Sequence, residues 1–254
     1  MQPWSLRQAL DDIALSLVFF TRLPLPAFDS GGRTLAQAIW AAPLAGLAVA
    51  AIGGAVYAVA SGLGLAAGPS AGLALAATLL ATGGLHEDGL SDVADGFGGG
   101  RTREKKLDIM RDSRIGSYGA AALGLSLLIR WSALSELSGV ADLLAALIAA
   151  HMASRGLSGA FMSLLPAART DGLAAGAGSV SAETAIIGAA VGAAALLLLG
   201  VGGAIVTLLV LCLLFWAFRA ICLRQIGGHT GDTVGALQQL AEMAALLSAS
   251  VFLP

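Results

Sequence analysis

Seven apolar runs, at about 37–60, 65–85, 118–138, 140–164, 184–200, 201–221 and 234–253, dominate this chain of 254 residues. Each approaches the ~20 residues an α-helix needs to cross the ~30 Å hydrocarbon core of a bilayer. Inside a bilayer every backbone N–H and C=O must be satisfied by the protein itself, so only helices or a closed barrel can span it. Barrel strands would alternate polar and apolar residues over about ten positions, whereas these runs are continuous. The expected fold is therefore an all-α, polytopic membrane bundle of about seven transmembrane helices, one domain over residues 1–254. Composition agrees, with 57% hydrophobic and 12% charged residues against roughly 25% charged in soluble domains.

Near the N-terminus a short apolar run, Ile13 to Phe20, follows Asp11 and Asp12 and leads into "TRLPLP" rather than a small-residue cleavage site. It reads as an amphipathic interfacial helix of about 15 residues, not a signal peptide. A net charge of -2 argues against a nucleic-acid partner. Cys212 and Cys222 read as small core residues, with no support for a disulfide or thiolate metal site. Arg22, Arg33, the six basic residues from Arg101 to Arg114, Arg169 and Arg224 fall in alternate connections. The positive-inside rule then puts the N-terminus and the loops near 86–117, 165–183 and 222–233 in the cytoplasm, and the C-terminus outside if the spans number seven. Small-residue faces such as "AAPLAGLAVAAIGGAV" would suit close packing within one chain or between chains of a homo-oligomer.

Against this background "GGLHEDGLSDVADGFGGG", residues 83–100, is anomalous. Asp88, Asp92 and Asp95 are spaced i, i+4, i+7, within about 60° of arc on a helix, with Leu90, Val93 and Phe97 opposite. Like charges so arranged repel, and more strongly beside low-dielectric surroundings, so a cation between them is expected. Oxygen donors without cysteine favour Mg²⁺ or another hard divalent ion. The alternative is a solvated acidic face. His86 would join the aspartates, as ligand or general base, only if the helix begins after it; on a continuous helix it lies about 160° from Asp88 and packs on the apolar side. Glu87, about 100° off the aspartate face, reads as a peripheral charge.

The following stretch, "RTREKKLDIMRDSRIGSYG", reads as a helix with Thr102 as N-cap and Gly116 as stop, carrying Arg101, Lys105, Asp108, Arg111 and Asp112 on one face. Carboxylates beside Arg and Lys donors in one cytoplasmic loop are what transfer from a diphosphate requires. Arg111 and Arg114 read as phosphate contacts; for Arg101, Arg103, Lys105 and Lys106 anchoring at the membrane surface is the alternative. "RQIGGHTGDTVGA", before the last run, is either an anion cradle of backbone N–H groups or an ordinary capping turn with Asp232 or Thr233 as N-cap. Arg155 and His151, at i and i+4 deep in an apolar run, read as a functional pair, with snorkelling as the alternative. Arg130 and Glu136 look like charges anchoring a span end.

"TRLP" at 21–24, "GGLHEDGLSDVADG" at 83–96, "IMRDSRIGSYG" at 109–119, "SRG" at 154–156 and "GGHTGDTVGA" at 227–236 together resemble the cobalamin synthase family, the adenosylcobinamide-GDP ribazoletransferases. The resemblance implies a Mg²⁺-dependent, multi-pass enzyme of the bacterial inner membrane, with active-site loops facing the cytoplasm. It would join adenosylcobinamide-GDP to α-ribazole, or to its 5′-phosphate, and release GMP. The family's acidic motif falls on His86, Asp88, Asp92 and Asp95, with the three aspartates as metal ligands. Its basic motif falls on Arg111, Asp112, Ser113 and Arg114, and its glycine-rich motif on Gly227, Gly228, Thr230, Gly231 and Asp232. Arg22 and Arg155 join these as expected substrate contacts. Two other classes fit parts of the pattern: a membrane phosphotransferase acting on CDP-alcohols, and an ion-coupled transporter with a midplane site.

Overall fold

The structure, a computed structural model, describes residues 5–26, 30–137, 139–169 and 178–253. It is built of helices in the order α1 (Leu6–Phe20), α2 (Leu35–Ala38), a 3-10 turn (Ile39–Ala41), α3 (Ala42–Gly62), α4 (Ala67–Thr82), α5 (Leu85–Gly99) and α6 (Arg103–Ile109). There follow α7 (Ser117–Ser135), α8 (Val140–Leu164), α9 (Ala182–Ala195), a 3-10 turn (Leu196–Leu199), α10 (Gly200–Ile226) and α11 (Gly231–Phe252).

The expected N-terminal helix is α1, 15 residues long, opened by a capping box in which Ser5 and Gln8 satisfy each other's backbone N–H. Leu6, Leu10 and Val18 stay exposed on it, as an interfacial helix requires. Its other face carries a wholly buried Asp12 that accepts from Arg33 Nε at 2.7 Å and Trp40 Nε1 at 2.8 Å. These bonds tie α1 to the entry of α3.

Helix α8 is central, packed on α3, α9 and α11. Its contact with α9 is made by glycines: a Cβ on Gly192 would lie 2.8 Å from the Met152 carbonyl oxygen, and one on Gly156 2.8 Å from that of Gly188. Where lipid is as apolar as any side chain, such backbone proximity supplies the packing energy. Gly156 opposes Gly188 and Gly192 while Gly159 opposes Ala185, so α8 and α9 run antiparallel. The core is correspondingly alanine-rich, including Ala50, Ala74, Ala146, Ala149, Ala150 and Ala245.

The all-helical membrane expectation holds, while the expected seven spans are met only in part. Among the described residues four helical stretches are long and apolar enough to cross a membrane: Leu35–Gly62, Val140–Leu164, Ala182–Ile226 and Gly231–Phe252. The pair Ala67–Thr82 and Leu85–Gly99, bent by 88°, would make a fifth. The differences have local causes. The run at 65–85 does not end in a loop but turns at Gly83 and Gly84, both left-handed (φ 67° and 69°), straight into α5. The runs at 184–200 and 201–221 form one helical stretch interrupted at Gly200 (φ 74°). Helix α7 carries Arg130 inside the bundle and does not reach spanning hydropathy.

Candidate active site

Helix α5 begins at Leu85, before His86, and ends at Gly99 with Gly100 as its C-cap, within the glycine run. Leu90 and Val93 are buried among Phe161, Phe215 and Phe218, so the expected apolar face is the packed one. Opposite it, Asp88 is exposed and Asp92 half-buried. The early start settles His86. It lies on the inner side, 2% exposed, stacked on Phe20 with ring centroids 5.7 Å apart. Neither ring nitrogen has a hydrogen-bond partner among the described residues. The structure therefore does not bring His86 to the aspartates, because helical register turns it away.

Asp95 turns from the shared face toward α7. Its Oδ2 accepts from Gly116 N at 2.7 Å and its Oδ1 from Gly119 N at 2.9 Å, placing a carboxylate on the positive end of that helix. A Cβ on Gly119 would lie 2.3 Å from Asp95 Oδ2 and 2.4 Å from Ser91 Oγ, so only glycine permits the approach.

Asp232, in the first turn of α11, takes Asp95's expected place beside Asp92. Helix α11 comes within reach because Gly89 packs on its backbone, where a Cβ would lie 2.8 Å from the Asp232 carbonyl oxygen. The negative charges of Asp88, Asp232 and Asp95 all act on half-buried Asp92, with Arg169 the opposing cation. Arg169 itself pairs with Asp232, which also accepts from Thr230 Oγ1 at 3.1 Å. Arg169 was not among the residues singled out by motif; its placement next to "GGHTGDTVGA" is a product of tertiary packing alone.

The glycine-rich turn is a capping turn, with Thr230 rather than Asp232 or Thr233 as N-cap, in a capping box with Thr233. Gly228 lies against Pro166, where a Cβ would sit 2.1 Å from the carbonyl oxygen, and His229 exchanges backbone hydrogen bonds with Pro166 and Ala168 at 2.9 and 2.8 Å. Gly231 is open to solvent, with no atom within 4 Å of a Cβ there. Burial lowers the proton affinity of the His229 imidazole, so the ring is neutral near pH 7.

Thr102 does cap α6, accepting from Lys105 N at 3.2 Å, but the helix stops at Ile109. "RDSR" is thus an exposed turn, with Arg114 forked onto Asp112 at 3.0 Å from Nε to Oδ1; this pairing holds the Asp112 carboxyl down to about 2. Arg111 and Ser113 share that exposed turn. Arg103 is not a surface anchor: its Nε donates to the Ile226 carbonyl at 2.8 Å and its Nη2 to that of Ala168 at 2.5 Å, clasping the two loops behind Asp232. Exposed Arg22 packs on the Gly83 corner, its backbone N–H donating to Ala81 at 2.7 Å.

Three readings of intramembrane charge change. Arg155 is 1% exposed and enclosed, its Nη1 2.9 Å from His151 Nδ1, so the expected pairing exists but away from the acidic face. Arg130, expected at a span end, is 1% exposed. Glu87, expected at the periphery, is 7% exposed and accepts from Arg130 Nη1 at 2.9 Å. A solvent-facing charge and a buried ion pair have the same sequence; only the neighbouring helices separate them.

Among the described residues no three His, Cys, Asp or Glu side chains converge closely enough to hold a metal ion as arranged. The donor set nonetheless fits a hard cation: Asp88, Asp92 and Asp232 offer only oxygen, and their charge exceeds the single arginine opposing it.

A family model described as cobalamin-5-phosphate synthase matches residues 12–250. The chain is 69% identical to the adenosylcobinamide-GDP ribazoletransferase of Mesorhizobium japonicum, over 97% of this chain and 95% of that one. It is 49% identical to the protein of that name from Bradyrhizobium diazoefficiens, over 98% and 96% of the two chains. The Azorhizobium caulinodans protein of the same name is 43% identical over 96% of each. No solved structure matches the chain. With the match running over residues 12–250, a range that includes the acidic helix, the basic turn and the glycine-rich cap, this chain belongs to the cobalamin-5-phosphate synthase family.

Proposed function

We propose that this chain transfers the cobinamide phosphate moiety of adenosylcobinamide-GDP to α-ribazole, or to its 5′-phosphate, with release of GMP, as the last assembly step of cobalamin. The observation that carries this is the full-length identity to relatives bearing the enzyme's name. The juxtaposition of an acidic helix face with Arg169 and the exposed "RDSR" turn supplies groups suited to a diphosphate.

Asp88, Asp92 and Asp232 would hold Mg²⁺, which when bound neutralises diphosphate oxygens and the charge growing on the leaving phosphate. Arg111, Arg114 and Arg22 contact the remaining phosphate oxygens, and Arg169, paired with Asp232 at the edge of the acidic face, is the further cation placed to join them. The ribose 3′-hydroxyl of the ribazole forms its new bond to the phosphorus on the cobinamide side. The bond from that phosphorus to the bridging oxygen breaks, and GMP leaves with that oxygen. The hydroxyl proton passes to a carboxylate of the acidic face, since His86 points away from it. Holding these groups in place before reaction is where the rate comes from, because little covalent chemistry is required of the protein.

The orientation that fits is a bacterial inner-membrane enzyme with the acidic face at the cytoplasmic side. Ala182–Ile226, at 45 residues, is about 68 Å of helix, twice the hydrocarbon core, which favours two crossings turned at Gly200. Counting it so, with α4 and α7 as further crossings, returns seven. The deciding experiment is Asp88→Asn in purified, detergent-solubilised protein. GMP release should fall at least 1,000-fold on the scale of lost transition-state charge stabilisation, about 4 kcal/mol, with unchanged elution and helicity. Full activity would exclude Asp88 from the site. Chelation by EDTA should abolish release, and added Mg²⁺ should restore it.

A further inference from the structure

Beneath the acidic face lies a second group of charges that the reaction does not use. Arg130 of α7 donates through Nη1 to Glu87 at 2.9 Å and to Glu242 of α11 at 3.0 Å, all three nearly without solvent contact. Gln239 Nε2 adds a bond to Glu87 Oε1 at 3.2 Å, and Glu242 also meets His151 Nδ1 at 3.0 Å. Two carboxylates and two arginines, Arg130 and Arg155, thus balance inside a membrane bundle, where unpaired charge is costly. Such a group is expensive to assemble and an apolar packing would serve stability as well, so stability alone does not account for its presence.

That reason lies in where Glu87 stands. It directly precedes Asp88 on α5, and Asp95 lies about 12 Å further along the same helix. Both residues are tied to α7: Glu87 through Arg130, Asp95 through the N–H groups of Gly116 and Gly119. Two anchors on one neighbouring helix fix both the height and the roll of α5. The carboxylates they orient stand about 6 Å from its axis, so a roll of only about 10° displaces them by about 1 Å. Metal ligation tolerates about 0.2 Å.

We propose that Glu87 is a positioning residue, which through its buried pair with Arg130 sets the rotation of α5 and so the placement of Asp88 and Asp92 for cation and diphosphate. This rests on the assignment of those aspartates to the cation. In Glu87→Gln the carboxylate is lost but volume kept. The balanced double variant Glu87→Gln/Arg130→Gln removes one charge of each sign and leaves Glu242 facing His151 and Arg155.

The test is made on full-length protein in nanodiscs, measuring kcat, KM for each substrate, and the Mg²⁺ concentration giving half of the Mg²⁺-induced rise in melting temperature without substrate. Expected in both variants are a kcat at least tenfold lower, a Mg²⁺ midpoint at least fivefold higher and a KM for α-ribazole within twofold of the parent; Glu87→Asp should recover part of each. A variant with lowered melting temperature but parental kcat and Mg²⁺ midpoint overturns the proposal, showing the pair to be structural only. Should Glu87→Gln fail to fold, the balanced double variant decides. If the parent itself shows neither Mg²⁺-induced stabilisation nor Mg²⁺ dependence, the cation assignment fails; a parental response unchanged in both variants overturns the role of Glu87 alone.

Discussion

Asp88 and Asp95 lie seven residues apart on one helix, yet the structure gives them different work. Asp88 is exposed toward the site, while both oxygens of Asp95 are occupied by backbone N–H groups of α7. Asp95→Asn keeps one acceptor oxygen and loses a charge at a helix N-terminus, a cost of about 1 kcal/mol. Measurable GMP release should therefore survive in Asp95→Asn under conditions where Asp88→Asn shows none. Gly119→Ala should be worse for the fold than Asp95→Asn, because its methyl would enter the Asp95 carboxylate and the Ser91 hydroxyl. A loss of about 1–3 kcal/mol is expected from such overpacking, read as a lower melting temperature. The helical register that groups the aspartates was legible from their spacing. What Asp95 accepts was not, since its partners lie 21 and 24 residues away on a helix whose approach no local pattern encodes.

At the scale of the element, α5 is the helix on which the site turns. Its start at Leu85, fixed by the left-handed Gly83 and Gly84, decides that His86 faces Phe20 and not the aspartates. The pair of readings the sequence left open for His86 is thus closed by one boundary. Helix α6 shows the opposite limit: its N-cap was evident in Thr102, but neither its early end at Ile109 nor the clasp of Arg103 on the Ile226 and Ala168 carbonyls, 123 and 65 residues away, was. In the bundle, α8 and α9 meet through Gly156, Gly188 and Gly192. Gly192→Leu should force them apart and cost about 3 kcal/mol or more, measurable as a shift of thermal unfolding, while a leucine at exposed Gly202, where the nearest atom to a Cβ is 4.0 Å away, should be tolerated.

Across the whole molecule, the charged loops of the site gather at one end of the bundle, and the short turns near 63 and 200 lie away from it. In intact cells, a cysteine placed at Leu63 should react with an impermeant maleimide added from outside, and one at Arg101 only after permeabilisation, in a background lacking Cys212 and Cys222. The reverse pattern would invert the topology. The sequence by itself determined the helical membrane class, the family and the acidic and basic stretches, because hydrophobic run length, helical register and motif order are all local properties of the chain. Only the tertiary structure decided which charges meet. Arg130 joins Glu87 across 43 residues and Glu242 across 112, and Gln239 reaches Glu87 across 152. It also brought Asp232 and Arg169 to the aspartates. A buried ion pair depends on the neighbour that excludes water from it, and that neighbour is chosen by packing over the whole bundle.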